Sequence, residues 1–260
     1  MIMSLPAAVS PWAVERFDRV GSTQAIARGR PAWSAVVARE QSAGRGQLAR
    51  HFVSNAGGLY VTAVLPYGGH PLASRGFALA VGWALCEALR AEGVAALRLR
   101  WPNDLLVGAR KVGGILVEQG GPDTLLVGVG LNVTNRPWLA DPGLAAIAGR
   151  LADAWPDGVV PAVDNLAAIV LAAVHRAHEV FACERLPGFA ARLQDCWGEP
   201  PPVELVPASG IQLPVTRGWF RGIDEDGRLL LADAAGVVTP VPAHHVARLF
   251  EPAAGLPPAG

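Results

Sequence analysis

Lysine is almost missing from this chain: of 22 basic residues, only Lys111 is not an arginine. Charge of one sign is missing too, since 22 acidic residues balance the 22 basic ones. Nucleic-acid binders usually carry a basic excess or stripe, and none occurs here, so DNA is not an expected partner. Cys86, Cys183 and Cys196 are odd in number and lack a CxxC pair. That argues against a disulfide framework and for free thiols in a reducing compartment. The longest purely apolar run, Leu166 to Val174, is too short to cross a bilayer. Near the N-terminus, Pro6 and Pro11 break the apolar stretch, and the first basic residue, Arg16, follows it, which is not the order of a secretion signal. The expectation is a soluble cytoplasmic protein with no membrane partner.

What is abundant is apolar surface. With 260 residues, 51% of them apolar, the chain can build a substantial core, as one large domain or a medium and a small one. Alternation and turn residues predict strands over Ala13–Val20, Ala35–Ala38, Leu59–Leu65, Leu97–Trp101 and Leu125–Val133. Leu105–Val107 and Lys111–Glu118 read as a hairpin around Gly108-Ala109-Arg110, with another turn over Glu118–Asp123. Four-residue apolar spacing predicts a helix over Ala73–Ala91. A second runs through Leu166, Ile169, Val170, Val174, Ala177 and Phe181, with Asp164 as its cap, and extends through Phe189, Leu193 and Trp197. Gly198 to Pro202 reads as a linker. Beyond it, four or five short strands over Val203–Phe250, without a helix, predict a small β-barrel. The expected domains are 1–199, 203–250 and a frayed tail over 251–260.

Several short segments carry possible chemistry. Ser22 or Thr23 could cap a helix running to Arg28, or hold a polar ligand group at its N-terminus. Gly44-Arg45-Gly46 lets backbone approach an anion closely, and Arg45 can add a bidentate contact; many surface loops share this pattern. Lys111 is either a chance survivor on a hairpin tip or a site where a compact ammonium is needed and a wide guanidinium is not tolerated. Asp104 is a carboxylate that could accept or orient a proton, or a turn residue bonding its own backbone. His175 and His178 share a helix face but lack a third metal ligand, so a solvated face is the plainer reading.

Three segments occur in order at suitable spacings: Gly44-Arg45-Gly46; Arg100-Trp101-Pro102-Asn103-Asp104 with Lys111 to Glu118; and Gly128-Val129-Gly130-Leu131-Asn132. With Ser22-Thr23 upstream, the chain from about residue 13 to about 250 resembles a biotin–protein ligase. The resemblance implies an α+β fold: a class II synthetase-like mixed sheet flanked by helices, followed by an SH3-like barrel. It implies that biotin and ATP, with Mg²⁺, form biotinyl-5′-AMP, which acylates a lysine on a biotin carboxyl carrier domain of a carboxylase. Some family members begin with a DNA-binding winged helix; here Ser22-Thr23 lies too near the N-terminus for one, so a monofunctional ligase is expected. A homodimer through exposed strand edges is a further expectation.

By the same resemblance, Lys111, Arg45 and Asp104 are the catalytic residues. Ser22, Thr23 and Gln41 would serve the ureido ring of biotin. Gly44 and Gly46 would offer loop amides, Gly114 would admit ligand to the backbone, and Leu116 would line the pocket. Phe52, where the family usually has tryptophan, would pack on the adenylate, and Asn132 would lie near the nucleotide. Which residues would hold a metal is left open. Gln47 and Ala49 stand where the family often has arginine and glycine, so weaker retention of the adenylate is expected. Arg100 replaces the family's usual lysine, and Pro242 to Arg248 lacks its usual Ser-Gly-Glu. The rival readings are a lipoate–protein ligase and a non-catalytic sensor of biotin or adenylate.

Overall fold

A computed structural model of the chain describes residues 11–68, 76–155, 158–197 and 202–252. The first sheet has seven strands: β1 (Ala13–Val20), β2 (Ser34–Gln41), β3 (Gly58–Pro66), β4 (Leu97–Arg100), β5 (Asp104–Val107), β6 (Arg110–Gly121) and β7 (Thr124–Asn132). Their spatial order is β1-β2-β3-β7-β6-β5-β4. Only β1 and β2 run parallel; every other pairing is antiparallel. The sheet is therefore mixed, as expected.

Its two faces do different work because side chains alternate along each strand. On one face, Val61, Val129 and Ile115 form a cross-strand row in register, joined by Val37 and Val127. All are buried in the main core with helices α2 (Phe77–Ala91) and α3 (Val163–Trp197). Burial of such side chains stabilises by roughly 1.5–3 kcal/mol each. Gly82 of α2 is there for packing, since a Cβ would meet the Leu99 side chain at 2.4 Å. On the opposite face lies the short helix α1 (Thr23–Ala27), seated on a small cluster of Ala27, Val36, Val64 and Leu126. The rest of that face carries the candidate site.

The second sheet follows α3: β8 (Pro202–Pro207), β9 (Arg217–Ile223), β10 (Leu229–Ala232), β11 (Val238–Val241) and β12 (Val246–Phe250). All its pairings are antiparallel, in the order β11-β10-β9-β8-β12. It is tied to the first sheet at three points. Trp101 Nε1 donates to Gly227 O at 2.9 Å, Arg98 Nη1 reaches Glu251 Oε1 at 2.9 Å, and Arg50 donates to the carbonyl of Ala247.

Some expectations need correction. Ser22 is the N-cap of α1 but makes no side-chain cap bond; the Thr23 amide goes to Gln41 Oε1 at 2.8 Å instead. Asp164 lies in the first turn of α3 and pairs with Arg16 at 3.0 Å, where a β1 cation outcompetes its own helix end. β6 continues through Gly121, so the turn is shorter than Glu118–Asp123; pairing with Thr124 overrides the glycines. Glu251 is held by Arg98 and does not fray. Within α3, Val163–Glu184 is long and apolar enough to cross a membrane by length and composition, although the purely apolar run was short. Isolated polar residues interrupt that run, and Leu166, Val170, Leu171, Val174 and Phe181 spend the apolar face on the core. The expected helix start at Ala73, most of the Gly198–Pro202 linker and the tail beyond Pro252 lie outside the described residues, as does the Phe189 side chain. His175 and His178 pack edge-on to Trp33, with ring centroids 5.3 and 5.4 Å away, and no group of three metal-ligating side chains occurs among the described residues.

Candidate functional site

Register places one polar row across the solvent-accessible face of the first sheet. Tyr60 pairs with Gly130, Gly130 with Gly114, Gly114 with Asp104, and Asp104 with Arg100. Residues directly opposite in neighbouring strands point to the same face. Two glycines in the middle of that row therefore leave a floor without side chains. Phe52 stands over one end, because a Cβ on Gly130 would meet its ring at 2.7 Å. Lys111 stands over the other, with its Cε 3.4 Å from where a Cβ on Gly114 would lie. The adjacent row, Thr62, Gly128 and half-buried Leu116, extends the trough.

At the far wall, Thr23 Oγ1 donates to Gln41 Oε1 at 3.0 Å and accepts from Thr62 Oγ1 at 2.9 Å. Gln41 Nε2 donates to Ser54 Oγ at 3.0 Å, and Ser54 Oγ donates to Phe52 O at 2.8 Å. This chain of bonds fixes the loop that follows β2. It also explains Gly44, where a Cβ would meet Ser54 Oγ at 2.3 Å and Phe52 O at 2.5 Å. Ser22 is buried beside it.

At the near wall, the Lys111 ammonium pairs with Asp104 Oδ1, and Arg100 Nη2 donates to Asp104 Oδ2 at 2.7 Å. Two cations thus share one carboxylate, and the cluster keeps one net positive charge. Burial works to raise the Asp104 carboxyl, but Lys111 and Arg100 outweigh it and hold it below the usual carboxylate range. Asp104 is therefore a poor proton acceptor and a good anchor. The Lys111 backbone is fixed as well: its amide donates to Ile147 O at 2.7 Å, and its carbonyl accepts from Gly149 N at 2.8 Å.

The structure brings Thr23, Gln41, Phe52, Gly114, Leu116, Asp104 and Lys111 to one trough. Asn132 lies on the same face, but its Nδ2 donates to Gly149 O at 3.0 Å and its Oδ1 accepts from Asn135. It braces the segment that holds Lys111. Arg45 and Gln47 lie on the loop between Gly44 and Phe52, where Gly46 N donates to Arg50 O at 2.8 Å. Arg45 is exposed and its guanidinium has no ion-pair partner among the described residues. Sequence reasoning passed over Gln24, which is 7% exposed and lies beside Gly128. Its Nε2 donates to Glu118 at 3.2 Å, while its Oε1 has no partner among the described residues. Its position directly after Ser22-Thr23 was the available signal. Arg100 was likewise read only as a substitute for lysine.

Sheet, glycine floor and anchored lysine together form one candidate site on the open face of the first sheet. Residues 22–132 match the model of the biotin/lipoate A/B protein ligase family. The chain is 31% identical over 242 residues to the bifunctional ligase/repressor BirA of Salmonella typhimurium, a match spanning 86% of this chain and 67% of that protein. It is 42% identical over 112 residues to the biotin–[acetyl-CoA-carboxylase] ligase of Paracoccus denitrificans, covering 41% of this chain and 46% of that one. The chain thus spans about two thirds of the bifunctional relative's length and the match about half of the other's. The fold is similar to that of the Aquifex aeolicus biotin protein ligase in complex with biotin and ATP. The TM-score is 0.78 at 24% identity, covering 92% of this chain and 99% of that chain. The chain belongs to the biotin/lipoate A/B protein ligase family.

Proposed function

We propose that this chain is an ATP-dependent biotin–protein ligase. The observation that carries the reading is the anchored Lys111 ammonium at the end of a floor without side chains. In the first step a biotin carboxylate oxygen attacks the α-phosphorus of ATP, forming biotinyl-5′-AMP and releasing pyrophosphate. Both partners are anionic, so positive groups must offset their repulsion and the charge on the transferring phosphorus. Lys111 does this from the sheet, and Arg45 from the loop. Thr23, Gln41 and Ser22 hold the ureido ring; Leu116 and the glycines accept the apolar body; Phe52 and the loop amides at Gly44 and Gly46 cover the adenylate. Asn132 acts through the 147–149 segment.

In the second step a lysine amine of the acceptor attacks the acyl carbonyl. A C–N bond forms, the C–O bond to phosphate breaks, AMP leaves with the electron pair, and the amine's proton passes to solvent. Asp104 keeps Lys111 in place and is not the proton acceptor, because two cations already occupy it. Magnesium enters as part of the nucleotide substrate. Mg²⁺ is usually held by one or two carboxylates plus phosphates, and the carboxylate at hand, Asp104, is committed to its two cations.

The acceptor is a biotin carboxyl carrier domain of a carboxylase. The working unit is residues 1–199, with the five-stranded sheet of 203–250 as an SH3-like second domain. The equal numbers of acidic and basic residues support a ligase without a DNA-binding role. The exposed edge strand β1 would be the place for a second copy to pair, and free thiols fit the cytoplasm. The test is incorporation of labelled biotin into a carrier domain, with lipoate as competitor. Incorporation resistant to lipoate supports the reading. Efficient competition points to a lipoate ligase, and binding without transfer to a sensor.

A further inference from the structure

Asn135 lies just beyond the end of β7 and is 5% exposed. Its Oδ1 accepts from Val133 N at 3.0 Å, and its Nδ2 donates to Asn132 Oδ1 at 3.2 Å. Buried Asn132 passes the link on, since its Nδ2 donates to Gly149 O at 3.0 Å. Backbone groups at the two ends fix the direction of both amides. Val133 N–H can only donate and Gly149 C=O can only accept, so neither asparagine can turn over without setting like against like. The Gly149 amide in turn donates to Lys111 O at 2.8 Å. The same residue is tied to the other end of the trough. Asn135 N donates to Gly57 O at 3.2 Å, beside Thr134 N at 2.8 Å. Gly57 has φ 92°, and a Cβ there would meet Thr134 Oγ1 at 2.8 Å and Asn135 N at 3.0 Å, so this turn between Phe52 and β3 is seated on both residues. The segment that holds Lys111 is largely exposed, at Leu139 and Ile147 among others. Among the described residues, its side-chain bonds to the sheet come from Arg110, which is exposed, and from Asn132, which is buried.

We propose that Asn135 is a positioning residue for adenylate formation, an inference that rests on the ligase reading. It ties the turn behind Phe52 to the segment that holds Lys111, and so sets where the ammonium stands over the glycine floor. Asp104 fixes the charged end of Lys111, and the relay from Asn135 through Asn132 fixes its backbone. A buried polar network is rigid when every member is paired, and costly when one is not. Without the Asn135 amide, Val133 N and Asn132 Oδ1 lose their partner, and Asn132 is free to turn away from Gly149. Misplacing a reacting group by about 1 Å can cost on the order of 100-fold in rate. The ureido wall of Thr23 and Gln41 makes its bonds elsewhere, so biotin binding is not expected to change with the relay.

Biotin-dependent ATP–pyrophosphate exchange by the full chain is the first measurement. Asn135→Ala should lower kcat about 10-fold and leave the KM for biotin near the wild-type value. Asn135→Asp keeps the size and the acceptor for Val133 N but sets an oxygen against Asn132 Oδ1. It should show the same split, and it serves if the alanine variant does not fold by circular dichroism. The second measurement uses the single lysine of the chain. Labelled with ¹⁵N-lysine, the protein gives one backbone amide signal, that of Lys111, which donates to Ile147 O. That signal should move in either variant. An unchanged kcat, or a raised KM in place of the lowered kcat, overturns the proposal. So does a lowered kcat with an unmoved Lys111 signal, which a general loss of stability would produce. No biotin-dependent exchange in the wild type faults the ligase reading and with it the role in adenylation, while a moved signal leaves the tie from Asn135 to Lys111 standing.

Discussion

The carboxylate of Asp104 holds the Lys111 ammonium on one oxygen and Arg100 on the other, the latter at 2.7 Å. A point charge is thereby fixed at the end of the glycine floor, 3.4 Å from the space a Cβ on Gly114 would fill. Lys111→Arg keeps the charge but brings a wide planar fork to a narrow place. It is expected to fold normally and lose adenylate formation by roughly 100- to 1,000-fold. Near-full pyrophosphate exchange in the variant would remove Lys111 from the reaction.

Asp104 also fixes a pH dependence. Its folded-state pKa is lowered from 3.8 by Lys111 and Arg100 against the opposing effect of burial. Its contribution to stability is therefore complete above its ordinary value and is lost as pH falls through the lower, folded-state one. The gap in Tm between wild type and Asp104→Asn should stay constant from about pH 8 to about pH 5 and narrow below about pH 4. A gap that closes between pH 5 and 7 contradicts the two-cation anchor.

Gly130→Ala tests the floor. The new methyl lies 2.7 Å from the Phe52 ring, and overpacking of this kind typically costs about 1–3 kcal/mol. Denaturant unfolding should show that loss, and adding Phe52→Ala should recover much of it. Additive losses in the double variant would mean that the ring and the glycine do not meet.

Gln47 lies in a 3₁₀ turn whose next residue, Leu48, is left-handed at φ 54° and 56% exposed. An arginine there would add a charge-assisted contact to the adenylate phosphate. Gln47→Arg is expected to reduce biotin transfer to an unrelated lysine-rich protein several-fold while transfer to a carrier domain persists. Equal off-target labelling by both proteins would dismiss Gln47 as a leak.

Local patterns were readable in advance. The Leu105–Glu118 hairpin follows from its apolar runs around Gly108, although its first strand begins one residue earlier, at Asp104, and the rarity of lysine singled out Lys111. The row from Tyr60 through Gly130, Gly114 and Asp104 to Arg100 was not readable, because cross-strand register is a long-range property. Arg100 therefore looked like a mere exchange of one cation for another, and Gln24 drew no reading of its own. Asn132 was expected near the nucleotide, and the bond from its amide to Gly149 depends on a loop that the sequence alone does not place. Glu251 was left to a tail because its partner, Arg98, is more than 150 residues away in sequence.

That last contact gives the molecule a mechanical property. Tension on the C-terminal end of the second sheet is borne first by Glu251 and passes through Arg98 into β4, two residues from Arg100. The parallel tether from Ala247 to Arg50 carries load into the loop beside Phe52. A load on the second sheet would thus reach both ends of the trough at once.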